Sequence, residues 1–368
     1  MCPMNRLRDL LFKYLRSELW GENFDQELNP KEGEEVLDLA AEQTVFGLVF
    51  NAMVTSHVQL DRKVIFRSLA VQEKIKRQNE LVSQNMADLN KQMTSGHIDF
   101  VVMKGQTLGV LYPHPEVRMS GDVDFLIKDR YEDIKENIEH ILSVSLPDLN
   151  KYEKEAAFTI NEVLYELHTY LITFGSSKSD KYWNRIVDES WEHKCYADIL
   201  NEKVRILPPT VYAVYVFLHL FFHFIREGVA LRQFCDWAVL LNHYHQEIDV
   251  RQLEEILVKL NMLKGYKAFG SIIVNYLGLP KERFPFPIEK KDRKWEQKII
   301  RDVFKGGNFG KHNHTVHKVG LMFKLETAAV SIRNVFTYYP LAPRDLRNYL
   351  IRLIKGNIVL LVKRKNSL

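Results

Sequence analysis

The spacing of apolar residues divides the chain into a helical stretch, a mixed stretch and a second helical stretch. Up to about residue 95, apolar side chains recur every three or four positions, as on one face of a helix. The longest such pattern runs from about Asp61, the predicted N-cap, to about Thr94, and Gly96 ends it. Residues 1–95 are therefore predicted to form an N-terminal helical region.

Between residues 96 and 207, short and mostly apolar runs replace the helical spacing. Residues 100–103 and 123–127 have the length and composition of buried strands. The segment 105–112 between them fits a short helix. The segment 129–142 fits an amphipathic helix that is capped by its first residue, an aspartate.

Two further runs, 156–160 and 163–168, lie on either side of Asn161 and Glu162. Two short runs around a two-residue polar turn predict a β-hairpin. Residues 204–207 form a last predicted strand. The strands of this stretch together predict a small mixed sheet.

Helical spacing returns after Pro208 and Pro209, which mark a boundary. Helices are predicted at 211–226, 231–244, 250–260, 264–277, 290–304 and 321–336. The pattern thus predicts an α+β fold in three parts. A small mixed β-sheet unit at 96–207 lies between an N-terminal helical region, 1–95, and a C-terminal helical region, 208–368.

Composition narrows the class of protein. Hydrophobic residues make up 46% and charged residues 27% of the 368 positions, as in an ordinary soluble globular protein. No apolar run reaches the roughly eighteen residues of a membrane-spanning helix, and the first residues lack a signal-peptide core. Three distant cysteines, Cys2, Cys195 and Cys235, predict no disulfide framework. We expect a cytoplasmic protein.

The formal net charge of +4 is placed unevenly. Residues 341–368 carry seven lysines and arginines against one acid, Asp345. Such a tail fits contact with an anionic membrane surface, or packing of its apolar residues with the cations solvated, which is the commoner outcome. It lacks the interleaved aromatic residues of a nucleic-acid-binding surface, so we expect no nucleic-acid partner.

Two carboxylates open the second predicted strand. Asp122 and Asp124 are two positions apart, so in a strand they project from one face. Mg²⁺ takes such oxygen ligands together with substrate phosphates. The alternative is a pair of solvated strand-end acids. The turn at Lys104 and Gly105 favours the metal, because glycine lets backbone N–H groups approach a phosphate at a helix start.

These residues are part of a longer series of motifs. In order, the series is Lys104-Gly105-x-x-Leu108, Leu111-Tyr112-Pro113, Arg118, Asp122-Val-Asp124-Phe-Leu-Ile127, Glu166-Leu-His168, and His219-x-x-x-His223 followed by Arg232 and Asp236. It resembles the uncharacterised nucleotidyltransferase family of the polymerase-β-like superfamily over roughly residues 35–245. The resemblance implies a Mg²⁺-dependent enzyme that moves a nucleoside monophosphate from a triphosphate such as ATP to an unidentified acceptor. A small molecule, a saccharide or a protein would fit that role.

One position departs from the pattern of the superfamily. A serine usually follows the turn glycine there, and Gln106 stands in its place. A side-chain hydroxyl contact to phosphate is therefore missing. The departure keeps open a second interpretation, a catalytically inactive module of the same fold that binds a nucleotide or a protein.

The resemblance implies a catalytic set of Asp122, Asp124, Glu166 and His168. Two Mg²⁺ ions, with Mn²⁺ as an alternative, would be held by the two aspartates and by Glu166 on an adjacent strand. His168 would orient a ligand, contact phosphate or act as a base. A hydrogen-bonded core histidine is an equally good interpretation of His168.

The predicted nucleotide-binding set is Lys104, Gly105, Gln106 and Arg118. Lys104 would reach the triphosphate as a point charge. Arg118 would clamp a phosphate or a carboxylate. The alternative for Arg118 is a surface ion pair.

A last set is predicted to line the substrate: His219, His223, Arg232 and Asp236. The two histidines are four positions apart on one helix face, a spacing that zinc sites use, and Asp236 is a conceivable third ligand. No glutamate follows His219, which excludes a His-Glu-x-x-His protease. Substrate contacts or structural hydrogen bonds are favoured over zinc. The remaining histidines of interest are expected to be solvated: His312, His314 and His317.

Overall fold

The computed structural model describes residues 3–24, 28–149, 153–307 and 321–351. Its strands are β1 (Phe100–Met103), β2 (Asp122–Ile127), β3 (Glu155–Ile160), β4 (Val163–His168), β5 (Cys195–Ile199) and β6 (Glu202–Ile206). Its first helices are α1 (Pro3–Trp20), α2 (Pro30–Glu42), α3 (Phe46–Thr55), α4 (Arg62–Ser95), α5 (Gly105–Gly109), α6 (Tyr131–Leu142) and α7 (Ser177–Ser190). Its later helices are α8 (Pro209–Arg226), α9 (Leu231–Tyr244), α10 (Val250–Leu260), α11 (Leu263–Asn275), α12 (Lys290–Arg293), α13 (Glu296–Gly306) and α14 (Leu321–Tyr338). The protein is therefore a mixed α+β fold, as the sequence predicts.

The larger sheet has the strand order β1-β2-β4-β3. The central strands β2 and β4 run parallel, and the outer strands pair antiparallel to them. The predicted hairpin is confirmed, because Asn161 and Glu162 both have positive φ angles, 48° and 65°, as a tight two-residue hairpin turn requires. The parallel register sets Asp124 opposite Glu166. These two acids come from different parts of the sequence and meet through strand pairing.

The two faces of this sheet enter different cores. Val123 and Phe125 of β2 pack in a core with α4 and α6. Leu126 packs in the larger core, to which α1, α3, α8, α9 and α11 also contribute. Asp122 and Asp124 share the face of Leu126, since side chains alternate along a strand. They therefore lie where the sheet meets the C-terminal helices.

Helices from both ends of the chain thus share one core with the sheet. The division into parts at 1–95, 96–207 and 208–368 stays a prediction. α8 has the length and mean hydropathy of a membrane-crossing helix, but 83% of that window is buried inside the protein. An apolar helix enclosed in this way is the central helix of a core.

Three local predictions are corrected. Helix α6 has Arg130 as its N-cap residue, because Asp129 lies in the bend that leaves β2. The predicted helix 290–304 is two helices, α12 and α13, separated by a turn. Strand β5 was not predicted, because its only buried positions are Ala197 and Ile199.

The C-terminal tail and the loop histidines fall outside the described structure. Residues 308–320 include His312, His314 and His317, and residues 352–368 include most of the basic tail; the structure describes neither segment. Contact of the tail with a membrane surface therefore stays a prediction.

Candidate functional site

A cleft opens between the acidic face of the larger sheet and helices α8 and α9. Its empty space, including the open mouth, is about 880 Å³. The structure brings most of the predicted site residues together here. Those that line the cleft are Lys104, Gly105, Arg118, Asp122, Asp124, Glu166, His219, His223, Arg232 and Asp236.

Asp124, Glu166 and His168 form a compact group on the floor of the cleft. Their ligating atoms all lie within 4.8 Å of one another. His168 Nε2 lies 2.9 Å from Asp124 Oδ1 and 3.7 Å from Glu166 Oε2. The predicted metal set contained Asp122 in place of His168. Asp122 lines the same cleft but is not a member of this group, because it lies at the start of β2, whereas His168 reaches across from β4.

Lys104 compensates the charge of this group. Its Nζ lies 3.0 Å from Asp124 Oδ1 and 3.0 Å from His219 Nε2. Burial alone would raise the pKa of Asp124, but the Lys104 ammonium and the His168 hydrogen bond outweigh it and leave that pKa well below its usual range. Burial would likewise lower the pKa of Lys104, and Asp124 raises it above its usual range instead. Asp124 and Lys104 are therefore a buried ion pair.

Glu166 differs from Asp124 although the two lie side by side. Burial, followed by repulsion from Asp124 and Glu155, raises the pKa of Glu166 to about 7. A divalent cation between Asp124 and Glu166 would relieve this repulsion. The donor set fits such an ion, since it offers carboxylate oxygens for Mg²⁺ or Mn²⁺ and an imidazole that suits Mn²⁺ better.

The turn before α5 is shaped by left-handed backbone. Lys104 has a φ of 57° and Gly105 a φ of 47°. A Cβ at Gly105 would lie 3.2 Å from the carbonyl oxygen of Asp122. The Lys104 N–H donates to the hydroxyl of Tyr212 on α8, at 2.8 Å. The turn is therefore fixed between the acidic strand and α8.

Gln106 is buried and faces away from the cleft. Its Nε2 donates to the Asn79 carbonyl oxygen at 2.9 Å and to Ser83 Oγ at 2.8 Å, both on α4. Gln106 was predicted to bind the nucleotide. In the structure, its side-chain amide instead forms hydrogen bonds that hold α5 against α4.

The loop that precedes β2 is also held by α4. Asn79 Nδ2 donates to the carbonyl oxygens of Glu116 and Arg118, at 2.8 and 2.7 Å. Asn79 Oδ1 accepts from Ser120 Oγ at 2.7 Å. One side chain of α4 therefore fixes the path of this loop into the cleft.

Arg118 forms a buried two-bond ion pair with Asp236 of α9. Its Nε and Nη2 donate to the two carboxylate oxygens at 2.7 and 2.8 Å. The Tyr112 hydroxyl donates to Asp236 Oδ1 at 2.7 Å. Burial alone would raise the pKa of Asp236, and Arg118 lowers it below its usual value. The predicted alternative for Arg118, a surface ion pair, is corrected: the ion pair exists but is buried.

The two histidines of α8 lie next to each other in the cleft, and His219 contacts Lys104. The rings of His219 and His223 have centroids 4.3 Å apart. Burial, then Lys104, then His223 lower the pKa of His219 well below its usual value, so its ring is neutral and accepts the Lys104 hydrogen bond. Asp236 is engaged by Arg118 and does not form a metal-ligand group with these histidines in the described residues. The described residues therefore give no support to a zinc site here, and substrate lining stays a prediction.

Sequence reasoning missed two residues that line the cleft beside the group of Asp124, Glu166 and His168. Lys154 and Glu155 both line it, and Glu155 pairs with His168 across β3 and β4. The predicted hairpin already implied this position, because the residue before segment 156–160 must lie opposite the last residue of segment 163–168. These two residues are Glu155 and His168.

An α+β fold with acids meeting on neighbouring parallel strands, beside a glycine turn, is the arrangement expected of a nucleotidyltransferase. The chain belongs to the uncharacterised nucleotidyltransferase family, whose model matches residues 29–278. It is also similar to the crystal structure of an antigenic nucleotidyltransferase-like protein from Paracoccidioides brasiliensis, with 15% identity and a TM-score of 0.33, over 54% of this chain and 93% of that one. No match was found among curated proteins.

Proposed function

We propose that the protein is a divalent-metal-dependent nucleotidyltransferase that moves a nucleoside monophosphate from a triphosphate to an acceptor. The observation that supports this best is the meeting of Asp124 and Glu166 on the cleft floor, beside the turn at Gly105. Metal-assisted phosphoryl chemistry needs fixed carboxylates next to a place for phosphates. A cytoplasmic location fits a triphosphate substrate and remains a prediction.

Asp124 and Glu166 would hold the metal, with Asp122 lining the same cleft. The ion would neutralise the developing phosphate charge and align the acceptor oxygen. A carboxylate only accepts hydrogen bonds, so His168 donates to Asp124 through Nε2. We assign His168 the role of orienting Asp124, which leaves mainly oxygen donors and favours Mg²⁺, with Mn²⁺ as the alternative.

Lys104 and Gly105 would receive the triphosphate. Gly105 permits close approach of the backbone, and the Lys104 ammonium carries its charge into the cleft. His219 holds that ammonium in place from the side of α8, at 3.0 Å. His219 and His223 would line the substrate above the metal.

One observation favours a second candidate, an inactive nucleotide-binding module. Lys104 Nζ and His168 Nε2 already engage Asp124 Oδ1, at 3.0 and 2.9 Å. An ion pair of this kind stabilises the fold without a metal. The same residues would then bind a nucleotide without transferring it.

The experiment that separates these functions uses triphosphates labelled at the α-phosphate. Each is incubated with the protein, Mg²⁺ or Mn²⁺, and a fractionated cell extract as the source of acceptors. We expect metal-dependent labelling of one fraction. Asp124→Asn should lower it by roughly a hundredfold or more, the scale of removing one electrostatic stabiliser of a transition state.

The matched control is Asp148→Asn, whose side chain is 97% exposed and outside the cleft. It should label as the wild type does. Calorimetry with each triphosphate and Mg²⁺ accompanies the assay. Binding without labelling of any fraction would establish the inactive module, and absence of binding would exclude both candidates.

A further inference from the structure

Two arginines, Arg118 and Arg232, line the cleft near Asp122, and this part of it is called the arginine end. Only Arg118 pairs directly with the carboxylate of Asp236. Both oxygens of Asp236 accept from Arg118, and one also accepts from Tyr112. Arg232 lines the same end, but its only recorded hydrogen bond in the described residues is from Nη1 to the Met119 carbonyl oxygen, at 2.8 Å. Arg232 forms no ion pair with any residue that the structure describes.

Donors at this end are left without acceptors. Arg118 Nη1 and Arg232 Nε are buried and have no hydrogen-bond partner among the described residues, and the Arg118 side chain is only 3% exposed. A buried donor without a partner costs free energy. The arrangement is therefore incomplete as an internal network.

Electrostatics agree with this geometry. Burial, then the positive charge of Arg118, lower the pKa of Arg232, and Asp236 and Asp122 offset only part of the effect. A further anion beside the guanidinium groups would offset the rest of the effect.

The position of this end relative to the metal group is set by β2. Asp122 and Asp124 are two residues apart, or about 6.6 Å along a strand, and Arg118 precedes Asp122. Arg232 lies in the first turn of α9, where the helix dipole adds partial positive charge. Gly121 lines the same cleft and leaves open space, since a Cβ there would meet nothing within 4 Å.

We propose that Arg118 and Arg232 form a phosphate-binding subsite that works without a metal ion and is separate from the acidic group. Guanidinium groups match the oxygens of a phosphate with paired hydrogen bonds. Asp236 fixes the Arg118 fork, while Arg232 supplies a guanidinium group that has no direct ion pair among the described residues. The subsite deepens the proposed function and rests on it only for which molecule carries the phosphate, the nucleotide or the acceptor.

The test is calorimetric titration with inorganic pyrophosphate at low salt in excess EDTA. Wild type is expected to bind, and Arg232→Gln should weaken binding about tenfold or more, the scale of a lost charge-assisted hydrogen bond. Arg232→Lys should keep part of the affinity, because it keeps the charge and loses the fork. The matched control is Arg185→Gln on α7, an arginine with 60% side-chain exposure outside the cleft.

A second titration identifies the source of the phosphate. If the nucleotide supplies it, Arg232→Gln weakens ATP and leaves AMP unchanged. If the acceptor supplies it, ATP is unaffected and pyrophosphate still binds the ATP-saturated wild type. Absence of pyrophosphate binding to the wild type in EDTA, or equal binding to a folded Arg232→Gln, overturns the subsite. The metal-dependent transfer assay is independent of this result, so each proposal fails separately.

Discussion

The two ends of the cleft compensate their charges in different ways. At the acidic end, Asp124 has Lys104 and His168 as direct partners, and Lys104 has His219 in addition. At the arginine end, Asp236 pairs with Arg118, and Arg232 has no direct ion pair among the described residues, although Asp236 and Asp122 both act on its charge. Asp124 is compensated within the chain, but burial and repulsion raise the pKa of Glu166, and the proposed cation would relieve that repulsion. The arginine end keeps buried N–H donors without acceptors among the described residues, which the proposed phosphate would supply. Under both proposals, one cleft would bind a metal and a phosphate side by side.

The largest expected loss of stability comes from removing the carboxylate of Asp236 at the arginine end. Asp236→Asn leaves the buried Arg118 without its carboxylate, so the free energy of unfolding should fall by about 3–5 kcal/mol. Urea denaturation followed by circular dichroism measures it. The double variant Arg118→Met/Asp236→Leu removes the ion pair as a whole and should cost much less. A single variant as stable as the wild type would contradict the buried pair.

A smaller effect compares one glycine from each end. Gly105 has a φ of 47° and a carbonyl oxygen 3.2 Å from where a Cβ would lie. Gly105→Ala should therefore lower the free energy of unfolding by about 1–2 kcal/mol. Gly121→Ala meets nothing within 4 Å and should stay within about 0.5 kcal/mol of the wild type. Equal effects of the two changes in the same denaturation assay would show that the turn is not constrained.

A further expected effect is a pH dependence of stability at the acidic end. The pKa of Glu166 is raised from 4.5 to about 7, so the folded protein holds this proton more tightly than the unfolded chain. The contribution of Glu166 to stability is therefore present below pH 4.5 and lost as the pH rises towards 7. Denaturation at pH 5 and pH 8 should show this loss in the wild type and not in Glu166→Gln.

The affinity for Mg²⁺ at the acidic end should also depend on pH. A divalent cation competes with the proton on Glu166, so Mg²⁺ affinity measured by calorimetry should rise with pH through about 7. A flat Mg²⁺ affinity over this range would remove Glu166 from the metal ligands.

Local sequence patterns were sufficient to predict the structural elements that depend only on residues close together in the chain. The hairpin, the long helix α4 and the glycine turn all follow from short stretches of sequence. The meeting of Asp124 and Glu166 came from the family resemblance, because no spacing rule predicts which strands pair in parallel.

Contacts between distant residues were beyond sequence reasoning. Arg118 and Asp236 are 118 positions apart, and nothing near either residue indicates the other. Spacing placed Asp122 and Asp124 on one face, but it did not show that Asp122 lies outside the compact group of ligating side chains. It also gave no sign that Lys104 would pair with Asp124 or that Gln106 would turn towards α4.

The bonds from Asn79 have a consequence for dissecting the protein. A helix from the first hundred residues fixes the loop that leads to the acidic strand, through the carbonyl oxygens of Glu116 and Arg118. Residues 96–207 expressed alone would lose those bonds and expose the sheet face that α4 covers. The smallest fragment with an intact cleft must therefore retain α4, and substitutions at Asn79 should alter ligand affinity without touching the ligand.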